Sequence, residues 1–459
     1  MEAHTPIPSE RTFGCEFEWC VGFRWEDVKP SNPDTGEITV ISVPNKTRDD
    51  MPVHVPSSKY SSAYNYVIAD ICKTLKDHGL PVQESTNPQG EMSPRGHILA
   101  PYQGWTVKLD DTIRTPKDSE FHWCPVEITS PAQVASDGAF ISINRVVSLL
   151  TSKYRILVNS SCGFHVHVGQ GADFLEVGAL GRVAGILWAA DPLLGCLHPP
   201  ERRFNYWSQS IRERSTLALG TSDLIDHHPI FSGCINHTKG KVRPTTSEND
   251  LLHAVKARVK KQSIEGSSDT SPSDAPTYST RRREGPRIPF PKYTAEEEAR
   301  LKKIAEGGRF SILDPKARTD PGVFHGVKEI LSYSAPCTIS WLLEASAKPN
   351  YNFEGYSCLR VSNPSSRKRT VEFREAAGTT SGRWAETWAR ICVGIYEWAI
   401  HAPVAEYLAV LDNCDQAAKG GEYDVIDLLD QIGLSDESAI AEERVKNQTL
   451  WEWFDVWVC

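Results

Sequence analysis

Three strand-like runs of the sequence each carry two ionisable side chains two residues apart. They are Glu16 and Glu18 in TFGCEFEWCVGF, His165 and His167 in SCGFHVHVG, and Glu372 and Arg374 in RTVEFREAAGT. Because side chains alternate along a strand, residues i and i+2 point to the same face of a sheet. Each run therefore predicts a strand that aims two ionisable groups together, while the apolar residue between them faces a core.

Each pair, taken alone, has a simpler interpretation. Two glutamates are ordinary on a solvent-exposed strand face, HxH is a weak metal signal, and Glu372 with Arg374 would form a surface ion pair of little energetic value. If the three strands share one sheet, however, the adjacent like charges require a cation to stay ionised. Carboxylate-rich sets favour Mg²⁺ or Mn²⁺, and added imidazole favours Mn²⁺ or Zn²⁺. The combination predicts a divalent metal site, and the nearby arginine suits phosphoryl transfer.

Two further stretches place acids at the ends of predicted strands. Asp110 and Asp111 follow an extended run in WTVKLDDT, and Glu127 lies in PVEITSP between Val126 and Ile128. Glu127 therefore faces away from its apolar neighbours. Alone it would be an exposed strand acid; beside the other three strands we interpret it as a metal ligand.

The elements that must position these residues mix helices and strands. Helical periodicity covers residues 60–78, 136–157, 173–191 and 384–400, with Pro192 expected to interrupt or kink the third helix. Short extended runs bounded by turn residues cover 12–21, 105–109, 125–129, 163–168 and 369–373. The sequence has no GxGxxG and no glycine-rich phosphate loop, so a doubly wound nucleotide fold has no support. We predict an α+β fold.

Composition bounds the class of protein. The chain has 459 residues, a net charge of −9 and average apolar and charged fractions, which predicts a folded, water-soluble protein and argues against nucleic acid as the main partner. No run of 18 apolar residues and no secretory signal occurs, so we expect a cytoplasmic protein without a membrane partner. The 12 cysteines include no CxxC pair and are expected to be reduced.

The polar stretch between residues 239 and 292 interrupts this organisation. It is rich in Ser, Thr, Pro and charge, so it is expected to be a disordered insertion. We therefore expect a catalytic domain in two parts, 1–238 and 293–403, followed by a C-terminal helical extension at 404–459. Neither the role of the insertion nor the oligomeric state follows from the sequence.

The order of the motifs resembles the putative amidoligase family. The motifs are FGCEFEW, WTVKLDDT, VEITSP, SCGFHVHVG, RRFNYW and RTVEFREAAGT followed by a Trp-rich helix, and they span roughly residues 11–403 outside the insertion. That family belongs to the carboxylate-amine ligase superfamily, with glutamine synthetase and glutamate-cysteine ligase. The resemblance implies an antiparallel β-sheet funnel of the glutamine synthetase type, flanked by helices, that ATP enters from one side.

The resemblance also implies a role for individual residues. The implied metal ligands are Glu16, Glu18, Asp110, Glu127, His165 and Glu372. Glu16 and Glu18 are expected to serve different ions, with Glu16 beside the transferred phosphate. Catalysis is expected of these two glutamates, of Glu372 and of Arg374, which would steady the γ-phosphate.

Further residues are expected to contact the nucleotide or the substrate. By the same resemblance, His167 would reach the nucleotide phosphates, and Asn205 and Tyr206 would line the substrate or nucleotide pocket. Arg360 stands where the family has an asparagine, and we expect it to hold a phosphate or the substrate carboxylate. Glu375 stands where the family commonly has an amide-bearing residue or a histidine.

The resemblance implies an enzyme, an ATP-dependent carboxylate-amine ligase. Its cofactors would be ATP and Mg²⁺ or Mn²⁺, and its substrates a small-molecule or peptide carboxylate and an amine, joined through an acyl phosphate. One alternative is a hydrolase or oxygenase with a single metal ion on His165, His167 and a glutamate. A second alternative is a non-catalytic relative that binds a partner.

Overall fold

The computed structural model describes residues 11–28, 40–45, 62–83, 103–117, 121–171, 173–218, 246–265, 287–288, 290, 292–306, 320–345, 348–357 and 369–447. The chain divides into two compact units. The first comprises Met1–His167, Ala376–Ala389 and Thr449–Cys459, and the second comprises Val168–Glu375 and Arg390–Gln448.

The first unit is built on a sheet whose longest strand is its first. Its elements in chain order are β1 (Thr12–Trp25), β2 (Ile41–Val43), α1 (Ser62–Asp77), β3 (Thr106–Leu109), β4 (His122–Thr129), β5 (Gln133–Val134), α2 (Asp137–Lys153), β6 (Ile156–Leu157) and most of β7 (Gly163–Gly169). The strand order is β3-β4-β1-β7, and β2, β5 and β6 also pair with β1. The pairs β1–β4, β3–β4, β1–β5 and β1–β6 are antiparallel, whereas β2 is parallel to β1.

Aromatic residues fix which face of β1 is apolar. Phe17 stacks on Phe164 of β7 with ring centroids 4.6 Å apart, and Phe13 stacks on Phe140 of α2 at the same distance. Since side chains alternate along a strand, this packing sends the residues on either side of Phe17 to the opposite face. Helix α2 begins where the sequence predicts it, because the side chain of Ser136 accepts a hydrogen bond from the Ala139 N–H at 3.3 Å.

The second unit is mainly helical. Its elements are α3 (Val177–Leu194), α4 (Ile211–Arg214), α5 (Thr246–Glu265), α6 (Ala295–Glu306), α7 (Val323–Leu331), α8 (Pro336–Leu343), β8 (Tyr351–Asn352), most of β9 (Thr370–Ala377), the second half of α9 (Gly382–His401), α10 (Val404–Ala418), α11 (Val425–Gln431) and α12 (Ser435–Lys446). Strands β8 and β9 are antiparallel, with Tyr351 opposite Phe373 and Asn352 opposite Glu372.

Helix α3 is buried over most of its length in the second unit. It begins at Val177, after the expected Asp173, and Pro192 lies inside its last turn. Among the described residues, one stretch is long and apolar enough to cross a membrane, Val177–Leu197, and 89% of its most apolar window is buried. A core helix has the same properties.

One segment differs from the expectation of a disordered insertion. Within 239–292, residues Thr246–Glu265 form helix α5. Leu251 and Val255, one helical turn apart, are both fully buried, so this polar sequence does contain an apolar contact face. The helix also pairs with α10, since Arg258 lies 2.8 Å from the carboxylate of Asp412.

The structure confirms an α+β fold with an antiparallel sheet. The cysteines in the described part of the chain are free thiols, as expected from their spacing. Strands β1, β3, β4, β7 and β9 all lie where the extended runs predict them, and α1, α2 and α9 lie within two residues of the predicted helices at their N-terminal ends.

Candidate active site

Four predicted metal ligands of the first unit, and the histidine predicted to reach the nucleotide phosphates, lie together on one face of its sheet. We call them the carboxylate–imidazole cluster: Glu16, Glu18, Glu127, His165 and His167. Each is at most 9% exposed, and His165 is 2% exposed. The interpretation of solvent-exposed acids on a strand face is therefore wrong for all three glutamates.

The two histidines of β7 lie against the two glutamates of β1. His167 Nε2 is 3.1 Å from a carboxylate oxygen of Glu16. His165 lies between the two acids, with Nδ1 3.5 Å from Glu16 and Nε2 3.5 Å from Glu18. The second oxygen of Glu18 accepts a hydrogen bond from the backbone N–H of Gly163 at 2.6 Å. Glu16 thus lies close to both imidazoles, and Glu18 lies close to His165.

Glu127 extends the cluster from the neighbouring strand. It stands directly opposite Glu18 in the β1–β4 pair. Lys108 of β3 lies 2.8 Å from its carboxylate, and Thr129 donates to the same oxygen at 3.1 Å. Burial, and then the charge of Glu16, raise the pKa of Glu127, while Lys108 opposes that rise.

The cluster fits a divalent cation by its donors, its spacing and its charge. Three carboxylates and two imidazoles are ligands that Mn²⁺ and Zn²⁺ accept, and the oxygens suit Mg²⁺. The 3.1 Å between His167 Nε2 and Glu16 matches the roughly 3.0 Å between neighbouring ligands of an octahedral ion with bonds of about 2.1 Å. His165 presents a different ring nitrogen to each acid, and only one of the two nitrogens can bind a given ion. Lys108 offsets one of the three negative charges of the glutamates. The two negative charges that remain equal the charge that one divalent ion balances.

Asp110 lies at the end of β3, next to this cluster. Its Oδ1 accepts hydrogen bonds from the backbone N–H and the hydroxyl of Thr112, at 2.7 and 2.6 Å. Its charge contributes to the raised pKa of Glu127, so the two carboxylates are close enough to interact. The adjacent Asp111 is exposed, so the two consecutive acids differ in their surroundings.

In the second unit, Glu372 and Arg374 share one face of β9, as their spacing predicts. Arg374 Nη1 donates to Glu372 at 2.5 Å, and Arg374 Nε donates to the backbone carbonyl of Trp207 at 3.1 Å. The other oxygen of Glu372 accepts from Asn352 Nδ2 at 2.8 Å. Glu372 is 8% exposed, so this ion pair is not the surface pair considered from the sequence.

A pocket of about 240 Å³ adjoins this pair. We call it the Tyr206 pocket; its lining includes Tyr206, Trp207, Glu344, Lys348, Asn352 and Ser357. Tyr206 therefore lines a pocket of the second unit. Asn205 does not belong to its lining, since it is 2% exposed and its Oδ1 accepts from the Trp207 N–H at 2.8 Å. Arg360 lies outside the described residues.

Sequence reasoning missed a buried polar network in the second unit. Asn350 Nδ2 donates to Asp191 at 2.6 Å and lies 3.4 Å from Glu375, which accepts from the Tyr351 hydroxyl. Burial raises the pKa of Asp191 and, further, that of Glu375, and the charge of Asp191 adds to the rise in the pKa of Glu375. The backbone carbonyl of Asn350 accepts from Arg374 N–H at 2.7 Å, so the network supports the strand that carries Arg374.

A signal for this network existed in the sequence. Glu375 is a third charged residue in the run EFREAA and alternates to the face opposite Glu372 and Arg374, where an apolar residue is expected. Tyr351 is 24 residues from Glu375, and Asp191 is 159 residues from Asn350, so the sequence pattern does not identify these partners.

The fold and these residues define an α+β protein with a buried site of carboxylates and imidazoles suited to a divalent ion. Residues 9–231 match the protein family described as putative amidoligase enzyme. The match confirms the resemblance over just under half of the chain, and it includes the carboxylate–imidazole cluster and Tyr206 but not Glu372 or Arg374. No curated protein and no solved structure matches the chain.

Proposed function

We propose that this protein is a ligase that joins a carboxylic acid to an amine, with ATP and Mg²⁺ or Mn²⁺ as cofactors. The observation that carries the proposal is the carboxylate–imidazole cluster, where three buried acids of the first unit lie beside two imidazoles. The family match to residues 9–231 supports ligase chemistry in the segment that contains this cluster. The funnel form of the sheet, as in glutamine synthetase, is part of the same proposal.

The proposed metal ligands are Glu16, Glu18, Asp110, Glu127, His165 and Glu372. A bound divalent ion would supply positive charge beside the phosphate oxygens of ATP. The imidazole of His167 would contact the nucleotide phosphates. These roles follow the resemblance, and the burial of all these residues except the half-buried Asp110 supports them.

The reaction has two steps that balance without a protein nucleophile. A carboxylate oxygen of the acid substrate forms a bond to the γ-phosphorus of ATP as the bond to ADP breaks, which yields an acyl phosphate. The amine nitrogen then bonds to the acyl carbon, inorganic phosphate leaves, and the nitrogen gives up a proton. Arg374 would steady the transferred phosphoryl group, and Trp207 and Glu372 hold its guanidinium in place.

Thermal unfolding with Mg²⁺ or Mn²⁺, with and without ATP, tests the proposal. A ligand that binds only the native state at a hundred times its Kd adds about 2.7 kcal/mol of stability, so binding raises the melting temperature. We expect a rise with metal and a larger rise with metal and ATP. A rise with metal alone would favour a hydrolase or oxygenase, and no rise would favour a non-catalytic protein that binds a partner.

ADP release completes the test. The full chain is incubated with Mg²⁺, ATP and pooled amino acids, polyamines and peptides. We expect substrate-dependent ADP release that Glu16→Gln and Glu372→Gln abolish and that Asp111→Asn preserves, because Asp111 is exposed. Unchanged turnover in both glutamine variants would contradict the proposed site.

A further inference from the structure

The Tyr206 pocket borders the residues proposed to act on the transferred phosphate. Asn352 lines the pocket and donates to Glu372 at 2.8 Å, and Trp207 lines it and accepts from Arg374 Nε at 3.1 Å. A molecule in this pocket would therefore lie next to Glu372 and Arg374. The base of ATP lies at the opposite end of the nucleotide from the γ-phosphate, so this position favours a substrate over the adenine ring.

Among the residues that the structure describes, the charged lining of the pocket is acidic on balance. Glu344 and Glu354 supply two carboxylates and Lys348 one ammonium. Lys348 lies 3.3 Å from Glu354, and both of these side chains are more than one-third exposed, so they form an ion pair at the solvent side. Glu344 is partly buried. A second carboxylate in the pocket would be repelled by Glu344, whereas an ammonium would be attracted.

The uncharged lining also suits a cation. The rings of Tyr206 and Trp207 meet edge to face with centroids 4.9 Å apart, so the pocket has two aromatic surfaces in different orientations. Aromatic faces attract ammonium groups within about 6 Å of the ring centre. Ser340 and Ser357 add hydroxyl groups that accept hydrogen bonds from an ammonium. The combination of carboxylate, aromatic ring and hydroxyl recognises an organic amine.

We infer that the Tyr206 pocket binds the amine substrate, a small alkyl ammonium held between the carboxylate of Glu344 and the ring of Tyr206. This inference rests on the proposed ligase function and names the substrate class for one side of its reaction. The volume of about 240 Å³ lies below the roughly 300 Å³ at which pockets begin to enclose drug-sized ligands. The substrate is accordingly the size of a short diamine.

Calorimetric titration of the full chain with three probes tests the inference: 1,4-diaminobutane, glutarate and adenosine. We expect diaminobutane to bind in this pocket. Any binding of glutarate or adenosine should be unaffected by substitutions in the pocket. Glu344→Gln is expected to weaken diaminobutane binding about tenfold or more, because a charge-assisted hydrogen bond is lost. Tyr206→Leu is expected to weaken it as well. Glu329→Gln, at a partly exposed acid on α7 outside the pocket lining, is the matched control and should leave the binding unchanged.

The outcomes separate this inference from the proposed function. If Mg²⁺ and ATP raise the melting temperature of both wild type and Glu344→Gln, the proposed function stands, and the titrations alone decide the pocket. Diaminobutane binding that is indifferent to Glu344→Gln and Tyr206→Leu, or that does not occur, overturns the inference. Binding of glutarate or adenosine that either variant abolishes also overturns it, because the pocket would then serve the acid or the nucleotide.

Discussion

Glu18 and Glu127 stand directly opposite each other across the antiparallel pair of β1 and β4. Side chains in such positions have Cβ atoms about 4.5–5.5 Å apart, and like charges there destabilise a sheet. The two residues are 7% and 8% exposed, so water screens the repulsion poorly. The folded protein therefore places two buried carboxylates opposite each other, an arrangement that costs stability unless a cation lies beside them.

Removal of one charge from this pair should raise the stability of the metal-free protein and weaken its metal binding. Glu18→Gln keeps an oxygen that accepts from the Gly163 N–H, which the wild-type carboxylate does at 2.6 Å, but it removes the repulsion. In EDTA we expect the variant to unfold at a higher temperature than wild type, with a gain of up to about 1 kcal/mol. The rise in melting temperature that Mg²⁺ or Mn²⁺ gives wild type should be lost in Glu18→Gln. A lower melting temperature in EDTA would contradict the unfavourable pairing.

Asp110 and Asp111 offer a matched comparison of neighbouring acids. Asp110→Asn keeps an oxygen for the turn to Thr112, whose N–H donates to Asp110 at 2.7 Å, but it removes a charge that acts on Glu127. We expect its Mn²⁺ affinity, measured by titration, to fall about tenfold or more. Asp111→Asn changes an exposed side chain and should leave that affinity as in wild type. Equal losses in both variants would indicate a general effect of net charge.

The positions of the strands were predictable because alternation is a local property of the chain. Glu16 and His165 lie in strands that the sequence predicts, and Phe17 packs on the face that the pattern assigns to the core. Burial of the two glutamates was not predictable, because solvent exposure of a strand face depends on what covers it. The pairing of Glu18 with Glu127 required the register of two strands more than a hundred residues apart.

The buried polar network of the second unit was not predicted, because its members lie far apart in the sequence. Asn350 is 159 residues from Asp191 and 25 residues from Glu375, and these separations follow no local period. Helix α5 was missed for a different reason. Its composition is that of a disordered segment, and its few apolar residues, such as Leu251, become informative only when a neighbouring surface buries them.

Glu375 should make stability depend on pH. Burial and the charge of Asp191 raise its pKa well above the ordinary value, against the hydrogen bonds from Tyr351 and Asn350 and the charge of Arg203. The folded state therefore binds more protons than the unfolded state between the two pKa values. The stabilisation is complete below the ordinary glutamate pKa and is lost as pH rises through the raised pKa.

Glu375→Gln removes this titration and keeps an oxygen for the Tyr351 hydroxyl. We expect its unfolding free energy, from urea titrations between pH 5 and pH 9, to match wild type at pH 5 and exceed it increasingly at higher pH. Each unit of raised pKa is worth about 1.4 kcal/mol. Glu422→Gln, at an exposed loop position, is the control and should give a constant difference. A Glu375→Gln difference that stays constant with pH would show that Glu375 is not the group responsible.

Arg374→Lys should test whether the guanidinium has a role that a charge alone does not fill. Arg374 donates to Glu372 and to the Trp207 carbonyl at once, through Nη1 and Nε, and this fork leaves its remaining N–H groups at a fixed orientation. An ammonium on a flexible stem keeps the charge but not the orientation.

Since the guanidinium of Arg374 is proposed to act on the transferred phosphate, we expect kcat for ADP release by Arg374→Lys to fall about a hundredfold or more, while the KM for ATP changes little. The melting temperature should stay near wild type, because lysine keeps a positive charge beside Glu372 and the backbone bond from residue 374 N–H to Asn350 is retained. A rise in KM with kcat unchanged would assign Arg374 to binding of ATP rather than to phosphoryl transfer.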